Sequence, residues 1–417
     1  MFWVAAAVLA VTYIGIALTR LPRVNVDRTS AAFTGAVLMV LLGVLSFDAA
    51  VRAIDFHIIA LLLGMMMLVA ALDRAGFFTY VAARLLSVGT TPVRLLVLVV
   101  AGTAVLSAFL VNDTVVLLLT PVIIRACRLL RVNPVPYLIA EAMASNIGST
   151  ATIVGNPQNI LIGVSSGISF TRFFLYLAPV AVAGCLALVS IMLLRYRREF
   201  SRPFSWDGVL PVATDEENAA RARWMAFILA PVVVAFFLSS TLGVDVSLIA
   251  LVTGAGVLLV SKVRPSEVIR GVNWVLLLFF VGLFVVIGGA QQAGVLDVAL
   301  EHISVTPDIP GIVSVHLAST LVSQLVSNVP LTMLVIPLLE DVPGEVLWIS
   351  LAAGATLGGN ATIIGAVANI IVAEVAAREG VTVSFGEFLK TGILVTAATL
   401  AISIGILALE WRLGFLT

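Results

Sequence analysis

Asp113 is the residue whose position points most directly to chemistry. Its carboxyl group falls within a largely apolar stretch, residues 95–124, away from the charges that flank that stretch. A carboxylate in a membrane-spanning segment is costly to hold there and usually belongs to an ion or proton pathway. A single titratable carboxyl suits proton exchange or one cation site, and we predict proton coupling at Asp113. The structural alternative is an ion pair with an arginine.

Amide and hydroxyl side chains form four polar clusters that interrupt apolar sequence. Two small clusters lie at residues 112–114 and 327–330, and two longer ones extend over residues 149–159 and 358–369. The longer clusters contain glycine or proline, which interrupt helices and leave ends that bind anions or cations. Two broken helices and two polar tips would enclose one central site. The alternative is that these residues only hold helices together.

An internal repeat relates the four clusters to one another. Gly64, Asn112, Pro121, Gly155 and Asn159 return as Gly282, Asn328, Pro337, Gly365 and Asn369. The offset stays near 210–218 residues from one end of the chain to the other. We therefore predict two repeats, residues 1–195 and 225–417, joined by a polar linker at residues 196–224.

Long apolar runs must position these clusters. Hydrophobic residues make up 61% of the 417-residue chain and charged residues only 11%, against about 25% charged residues in soluble domains. Runs of about 18 apolar residues can span a bilayer, where the backbone must be helical or form a closed barrel. No ten-residue alternating pattern typical of a barrel is present. The sequence predicts an all-α polytopic membrane protein with about ten spans.

Charge and cysteine content exclude other classes of protein. The net charge is zero, so no basic footprint for nucleic acid exists, and the two cysteines have no metal-ligand spacing. A protease of the zinc class would need an H-E-x-x-H motif, which is absent, and an aspartyl protease would need a second intramembrane aspartate. We predict neither enzyme activity nor a cofactor or metal centre.

Loop charges predict an inverted arrangement of the repeats. The basic segment at residues 74–94 corresponds to the acidic segment 297–308, and basic 125–131 corresponds to acidic 340–345. Cytoplasmic loops carry the excess of Lys and Arg, so equivalent loops lie on opposite sides. Inverted repeats are typical of secondary transporters. The pattern also places the linker in the cytoplasm and both chain termini outside a bacterial inner membrane.

Two stretches are predicted to enter and leave the membrane on one side. Both flanks of residues 95–124 are basic, which predicts a re-entrant hairpin from the cytoplasm, and both flanks of 312–339 are acidic. The alternative is that each stretch forms two tight spans. Broken helices are predicted at about residues 134–165 and 345–378.

The clusters resemble motifs of a known superfamily. NDTVVLLLTPVII at residues 112–124, ASNIGSTATIVGNPQNILIG at 144–163, SNVPLTMLVIPL at 327–338 and GGNATIIGAVANIIVAE at 358–374 resemble the ion transporter superfamily. They are most similar to its arsenite/antimonite permease and Na+/H+ antiporter-type branch, which includes silicic acid efflux transporters. The resemblance covers nearly the whole chain.

The resemblance implies a mechanism and a set of site residues. It implies a scaffold domain, a mobile transport domain, elevator-type alternating access and, in several members, homodimers. Its partners would be a small inorganic solute, a coupling ion and the lipid bilayer. The positions that carry over to solute or ion binding are Asn112, Asp113, Thr114, Ser149, Thr150, Thr152, Asn156, Gln158, Asn159, Ser327, Asn328, Asn360, Thr362 and Asn369.

One departure from the superfamily pattern bears on coupling. Sodium/dicarboxylate symporters carry Ser-Asn-Thr at both hairpin tips, whereas this chain has V-N-D-T at residues 111–114 and S-N-V-P at 327–330. We therefore predict proton-coupled efflux of a small inorganic solute or oxyanion of the arsenite or silicic acid class. The alternatives are Na+/H+ antiport, sodium-coupled anion or dicarboxylate symport with a sodium site at the hairpin tips, and a passive channel.

Overall fold

The described part of the structure is built from α-helices. The structure, a computed structural model, describes residues 1–18, 27–88, 91–201, 216–300, 305–340 and 342–416. Half of the predicted linker, residues 202–215, therefore lies outside the described residues. The helices of the first half are α1 Phe2–Leu18, α2 Arg28–Leu41, α3 Phe47–Arg52, α4 Phe56–Arg74, α5 Phe77–Val88, α6 Pro92–Phe109, α7 Asn112–Leu129, α8 Val135–Ser149, α9 Pro157–Ser166, α10 Phe170–Arg195 and α11 Arg197–Phe200.

The second half repeats this order of helices. Its helices are α12 Glu216–Leu242, α13 Val246–Val260, α14 Pro265–Arg270, α15 Trp274–Gln292, α16 Val295–Leu300, α17 Ile309–Val326, α18 Asn328–Glu340, α19 Val346–Gly358, α20 Val367–Arg378 and α21 Phe385–Arg412. Short 3-10 turns occupy Ile153–Gly155, Gly359–Ala361 and Ile363–Gly365.

Seven of the described helices are long and apolar enough to cross a membrane: α4, α6, α10, α12, α15, α17 and α21. Five further apolar helices are shorter, namely α1, α2, α13, α18 and the segment Val346–Ala361. The prediction of an all-α polytopic membrane protein is confirmed. The count of about ten spans stays a prediction.

Corresponding helices of the two halves begin at matching capping residues. The carboxylate of Asp27 accepts a hydrogen bond from a backbone N–H at the start of α2, and Asp245 does the same at α13. The hydroxyls of Ser169 and Ser384 cap α10 and α21 in the same way. Such caps satisfy N–H groups that the helix itself leaves unpaired, so they fix where each helix starts.

Two helix pairs related by the repeat cross at glycine. α13 packs on α4 and α2 packs on α15. A Cβ atom at Gly64 would lie 2.1 Å from the carbonyl oxygen of Ala250, and one at Gly282 would lie 2.7 Å from the carbonyl carbon of Ala32. Small residues allow such close backbone approach between membrane helices.

Gly64→Ala is expected to destabilise the protein by about 1–3 kcal/mol, because the new methyl group would overlap the α13 backbone. Thermal unfolding of the purified protein in detergent measures the change. Gly405→Ala is the matched control, since a Cβ at Gly405 on α21 meets nothing within 4 Å. Equal melting temperatures for the two variants would contradict the close crossing.

Polar contacts at the two ends of α10 show which helix ends lie together. At one end, the Tyr196 hydroxyl is 3.2 Å from the Thr391 hydroxyl near the start of α21. At the other end, Arg172 forms an ion pair of 3.0 Å with Glu345, and the Tyr176 hydroxyl donates to the Phe415 carbonyl. The start of α19 therefore lies with the start of α10 and the end of α21.

Arg128 at the end of α7 pairs at 2.9 Å with Glu379, directly after α20. Tyr137 near the start of α8 donates to the carbonyl of Pro92 at the start of α6, and its ring packs edge-on against Phe200 after α10. The outer ends of α6 and α7 therefore lie at the same end of α10 as the start of α21.

Candidate functional site

Four half-helices begin inside the protein. α7 begins at Asn112, α9 at Pro157, α18 at Asn328 and α20 at Val367. Proline at the first helical position is favourable, because its missing N–H would be unpaired there. Ser327, directly before α18, has a φ of 79°, a left-handed value that is uncommon outside glycine.

The starts of these half-helices surround a small cavity. The centres of water molecules can occupy about 30 Å³ of it, which is room for two or three waters at ~10–15 Å³ each. Helices α2 and α15 complete its wall. The lining residues are Arg28, Asn112, Asp113, Asn146, Pro157, Gln158, Leu276, Phe279, Ser327, Asn328, Val329, Ala366 and Val367.

The charges that line the cavity are one carboxylate and one guanidinium. Arg28 belongs to α2 and Asp113 to α7, and no ion pair of the described residues joins them within 4.0 Å. The guanidinium carbon of Arg28 lies 5.5 Å from the ring centroid of Phe279, a cation–π contact. The four helix N-termini add partial positive charge. When Asp113 is protonated, the cavity therefore favours an anion.

Asn146, which lines the cavity, joins the two broken helices. Its Nδ2 donates to Oδ1 of Asn360 at 2.9 Å and to Oδ1 of Asn369 at 3.0 Å. Its Oδ1 accepts from Nδ2 of Asn112 at 3.3 Å. One buried amide therefore contacts the first hairpin tip and the second broken helix.

Thr356, which corresponds to Asn146 in the repeat, makes the reciprocal contacts. Its hydroxyl donates to Oδ1 of Asn159 at 3.4 Å and accepts from Nε2 of Gln158 at 3.2 Å. Each broken helix is thus held against the other by one polar residue of α8 or α19. Such a network keeps the interrupted backbone in one arrangement.

Asn159 and Asn369 bind the unwound backbone of their own segments. Nδ2 of Asn159 donates to the carbonyls of Ser149 and Thr152, each at 3.0 Å. Nδ2 of Asn369 donates to the carbonyls of Gly359 at 2.8 Å and Thr362 at 3.0 Å. Buried carbonyls that a broken helix leaves unpaired need such donors.

Asn159→Ala is expected to lower the stability of the protein, because at least two buried carbonyls lose their donor at about 1–3 kcal/mol each. Thermal unfolding measures this loss, and Asn133→Ala is the matched control, because it removes one exposed hydrogen bond at the start of α8 and should lower the stability less. A variant with unchanged melting temperature and impaired solute binding would instead place Asn159 in direct contact with the solute.

The tip asparagines have unpaired acceptors. Oδ1 of Asn112 and Oδ1 of Asn328 are buried and have no hydrogen-bond partner. The two side chains belong to residues that are 4% and 8% exposed, and both line the cavity. A buried acceptor without a donor costs about 1–3 kcal/mol. A ligand that donates a hydrogen bond, or a cation, would remove that cost.

The structure divides the predicted site residues into two groups. Those that line the cavity are Asn112, Asp113, Gln158, Ser327 and Asn328. Those that hydrogen-bond to other side chains or to backbone behind it are Ser149, Thr150, Thr152, Asn156, Asn159, Asn360, Thr362 and Asn369. Thr114 lies one residue beyond the cavity lining.

Sequence reasoning missed Arg28, Asn146, Leu276 and Phe279 at the cavity. Arg28 is the first residue of α2. The signal was Asp27 directly before it, a residue type that commonly caps a helix. Leu276 and Phe279 carried no signal, because apolar residues in an apolar helix look alike.

Half-helices that meet around a polar cavity in an all-helical membrane protein are typical of a secondary transporter. The chain belongs to the CitMHS citrate transporter family of the ion transporter superfamily, whose family profile matches residues 13–347. It is a transporter and not an enzyme. Membership of the superfamily is thereby confirmed, while the narrower arsenite and silicic acid branch stays a prediction.

Known proteins similar to this chain come from bacteria and mammals. A 46 kDa membrane protein of Mycobacterium leprae is 36% identical and covers 96% of both chains. An uncharacterized transporter of Mycobacterium tuberculosis is 35% identical over 95% of this chain and 97% of its own. The P protein of Homo sapiens is 31% identical, over 88% of this chain and 55% of its own.

The fold matches a solved transporter. The YdaH transporter of Alcanivorax borkumensis, described as having an unusual topology, superposes with a TM-score of 0.62. The match covers 99% of this chain and 98% of that one at 16% sequence identity. At 16% sequence identity, the match shows that the two proteins share a fold and nothing beyond it.

Proposed function

We propose that the protein is a secondary active transporter that couples the movement of a small anion to a proton carried by Asp113. The observation that carries this proposal is the cavity, where Arg28 and four helix N-termini surround a single carboxylate. Helix N-termini and guanidinium groups bind oxyanions and carboxylates. The solute class is an inorganic oxyanion or a small carboxylate, and the description of the matched family favours the carboxylate.

The coupling follows from the charges in the cavity. With Arg28 positive and Asp113 negative, the lining side chains sum to zero. An entering anion makes the site negative, and repulsion between it and the carboxylate is strong in a medium of low dielectric constant. Protonation of Asp113 removes that repulsion, so proton and anion each favour the binding of the other. This linkage is that of a symporter.

The predicted efflux by proton exchange needs the opposite linkage, in which the solute displaces the proton. A neutral silicic acid or arsenite molecule suits the amide and hydroxyl groups of the cavity. A neutral solute would form no ion pair with the guanidinium of Arg28, however, and for that reason the anion is the better supported solute.

Sodium coupling is the second candidate. The unpaired Oδ1 atoms of Asn112 and Asn328 lie at corresponding positions of the two tips. Amide and backbone oxygens at interrupted helices coordinate sodium in several transporter folds. The two oxygens would then contribute to a pair of cation sites at the hairpin tips.

The helix packing supports alternating access by relative movement of two groups of helices. Arg28, Leu276 and Phe279 come from α2 and α15, whereas the other lining residues come from the hairpins and broken helices. A displacement of the second group would separate Asp113 from Arg28. The scaffold would comprise α1, α2, α4, α13 and α15, and the transport domain the hairpins, the broken helices, α10 and α21.

Contacts at the ends of α10 support the inverted repeats, residues 1–195 and 225–417. The base of the first hairpin, α6 and α7, lies at one end of α10, and the start of α19 after the second hairpin lies at the other. Loop charge then supports a cytoplasmic base for the first hairpin and external termini in a bacterial inner membrane. A homodimer remains part of the proposal through the family resemblance alone.

Solute counterflow in proteoliposomes tests the solute class. Liposomes loaded with unlabelled citrate, arsenate or phosphate are expected to accumulate the same labelled anion, while neutral silicic acid and arsenite compete weakly. Competition by the neutral solutes and none by the anions would overturn the proposal. Empty liposomes and protein-free vesicles provide the background.

A further inference from the structure

An apolar groove of about 590 Å³ lies between α12 and α13, away from the transport cavity. On α12 it is lined by residues 224, 227, 228, 231, 232 and 235, a spacing that places them on one helix face. Several side chains that line the groove are exposed: Phe227 on α12 is 69% exposed, and Val252 on α13 is 63% exposed. The groove is therefore an exposed apolar surface along α12 and α13.

One end of the groove is cationic and aromatic. The indole N–H of Trp224 donates to the carbonyl of Val260 at 3.0 Å, so the start of α12 and the end of α13 lie together. The Nζ of Lys262 lies 5.9 Å from the ring centroid of Trp224. Arg223 is also exposed and lies one helical turn before Phe227.

The stretches of α12 and α13 that line the groove carry little negative charge. Between residues 219 and 264 the sequence contains one acidic residue, Asp245, which caps the opposite end of α13. Tryptophan and basic side chains at the end of an apolar helix pair are typical of the membrane–water boundary. The groove thus combines an apolar surface with a mouth, at Trp224 and Lys262, that carries positive charge.

We propose that this groove binds an anionic phospholipid, with an acyl chain along α12 and α13 and the phosphate at Lys262 and Arg223. Anionic lipids are attracted to basic residues at the membrane surface. A second copy of this chain fits less well, because a two-fold interface would place the same cationic mouths against each other. A zwitterionic lipid would leave the net positive charge of the mouth uncompensated.

Fluorescence quenching in vesicles tests the site. Trp224 is isolated by subtracting the signal of Trp224→Phe from that of the wild type. Brominated phosphatidylglycerol is expected to quench the Trp224 signal more strongly than brominated phosphatidylcholine at equal mole fraction. The preference should fall about fivefold for each basic residue removed, in Lys262→Gln and in Arg223→Gln.

Lys390→Gln is the matched control, since Lys390 is the other lysine of the chain and is exposed on α21. It should leave the preference unchanged. Equal quenching by both lipids in the wild type would show ordinary boundary lipid and overturn the proposal. Protection of Trp224 from both lipids would also overturn it, because another protein surface would then cover the groove.

Discussion

Asp113→Asn is expected to abolish proton-driven solute accumulation while leaving solute exchange intact. The amide resembles the protonated carboxyl in shape and charge, so the anion can bind without a proton. Uptake driven by an imposed pH gradient should fall to the level of protein-free liposomes. Counterflow at zero gradient should persist and lose its dependence on pH, because the group that titrates with solute binding is gone.

Glu374→Gln is the matched control for Asp113→Asn. Glu374 is exposed on α20, outside the cavity lining, and its substitution makes the same change from carboxyl to amide. It should retain gradient-driven uptake. If Asp113→Asn kept full uptake driven by the pH gradient, Asp113 would not be the proton carrier, and the sodium candidate would take its place.

Arg28→Gln is expected to weaken anion binding by about 10- to 100-fold, which is the loss of one charge-assisted hydrogen bond of about 1.5–3 kcal/mol. The variant removes the positive side chain of the cavity and its contact with Phe279. Arg28→Lys should restore part of the affinity, since the charge returns without the planar, two-pronged donor. The dependence of the counterflow rate on anion concentration measures the change in affinity.

Arg52→Gln is the matched control for Arg28→Gln. Arg52 is exposed at the end of α3, outside the cavity lining, and its substitution removes the same positive charge. Its affinity for the anion should equal that of the wild type. An Arg28→Gln variant with unchanged affinity would remove the support for an anionic solute and favour the neutral silicic acid or arsenite class.

The helical breaks show what local sequence can predict. α8 ends at Ser149 and α9 begins at Pro157, inside the polar stretch 149–159 that the sequence singled out. Proline, glycine and capping side chains act on the backbone of their own segment, so their effect can be predicted without tertiary structure. The repeat extended the same inference to the second half of the chain.

The arrangement of the cavity needed the fold. Arg28 and Asp113 are 85 residues apart in the sequence, and nothing local indicates that α2 faces the first hairpin tip. The division of the asparagines also depends on packing: Asn112 has an unpaired oxygen at the cavity, whereas Asn159 is occupied by backbone carbonyls. Both residues are asparagines within a polar cluster, so the sequence alone does not distinguish the two roles.

The internal pH of proteoliposomes during solute addition tests the proton-coupled anion mechanism most directly. Vesicles that hold a pH-sensitive dye receive citrate, arsenate, silicic acid, arsenite or sodium one at a time. We expect an external anion to acidify the lumen in wild-type vesicles and to leave it unchanged with Asp113→Asn. A pH change caused by sodium alone, or lumenal alkalinisation caused by a neutral solute, would contradict proton–anion symport.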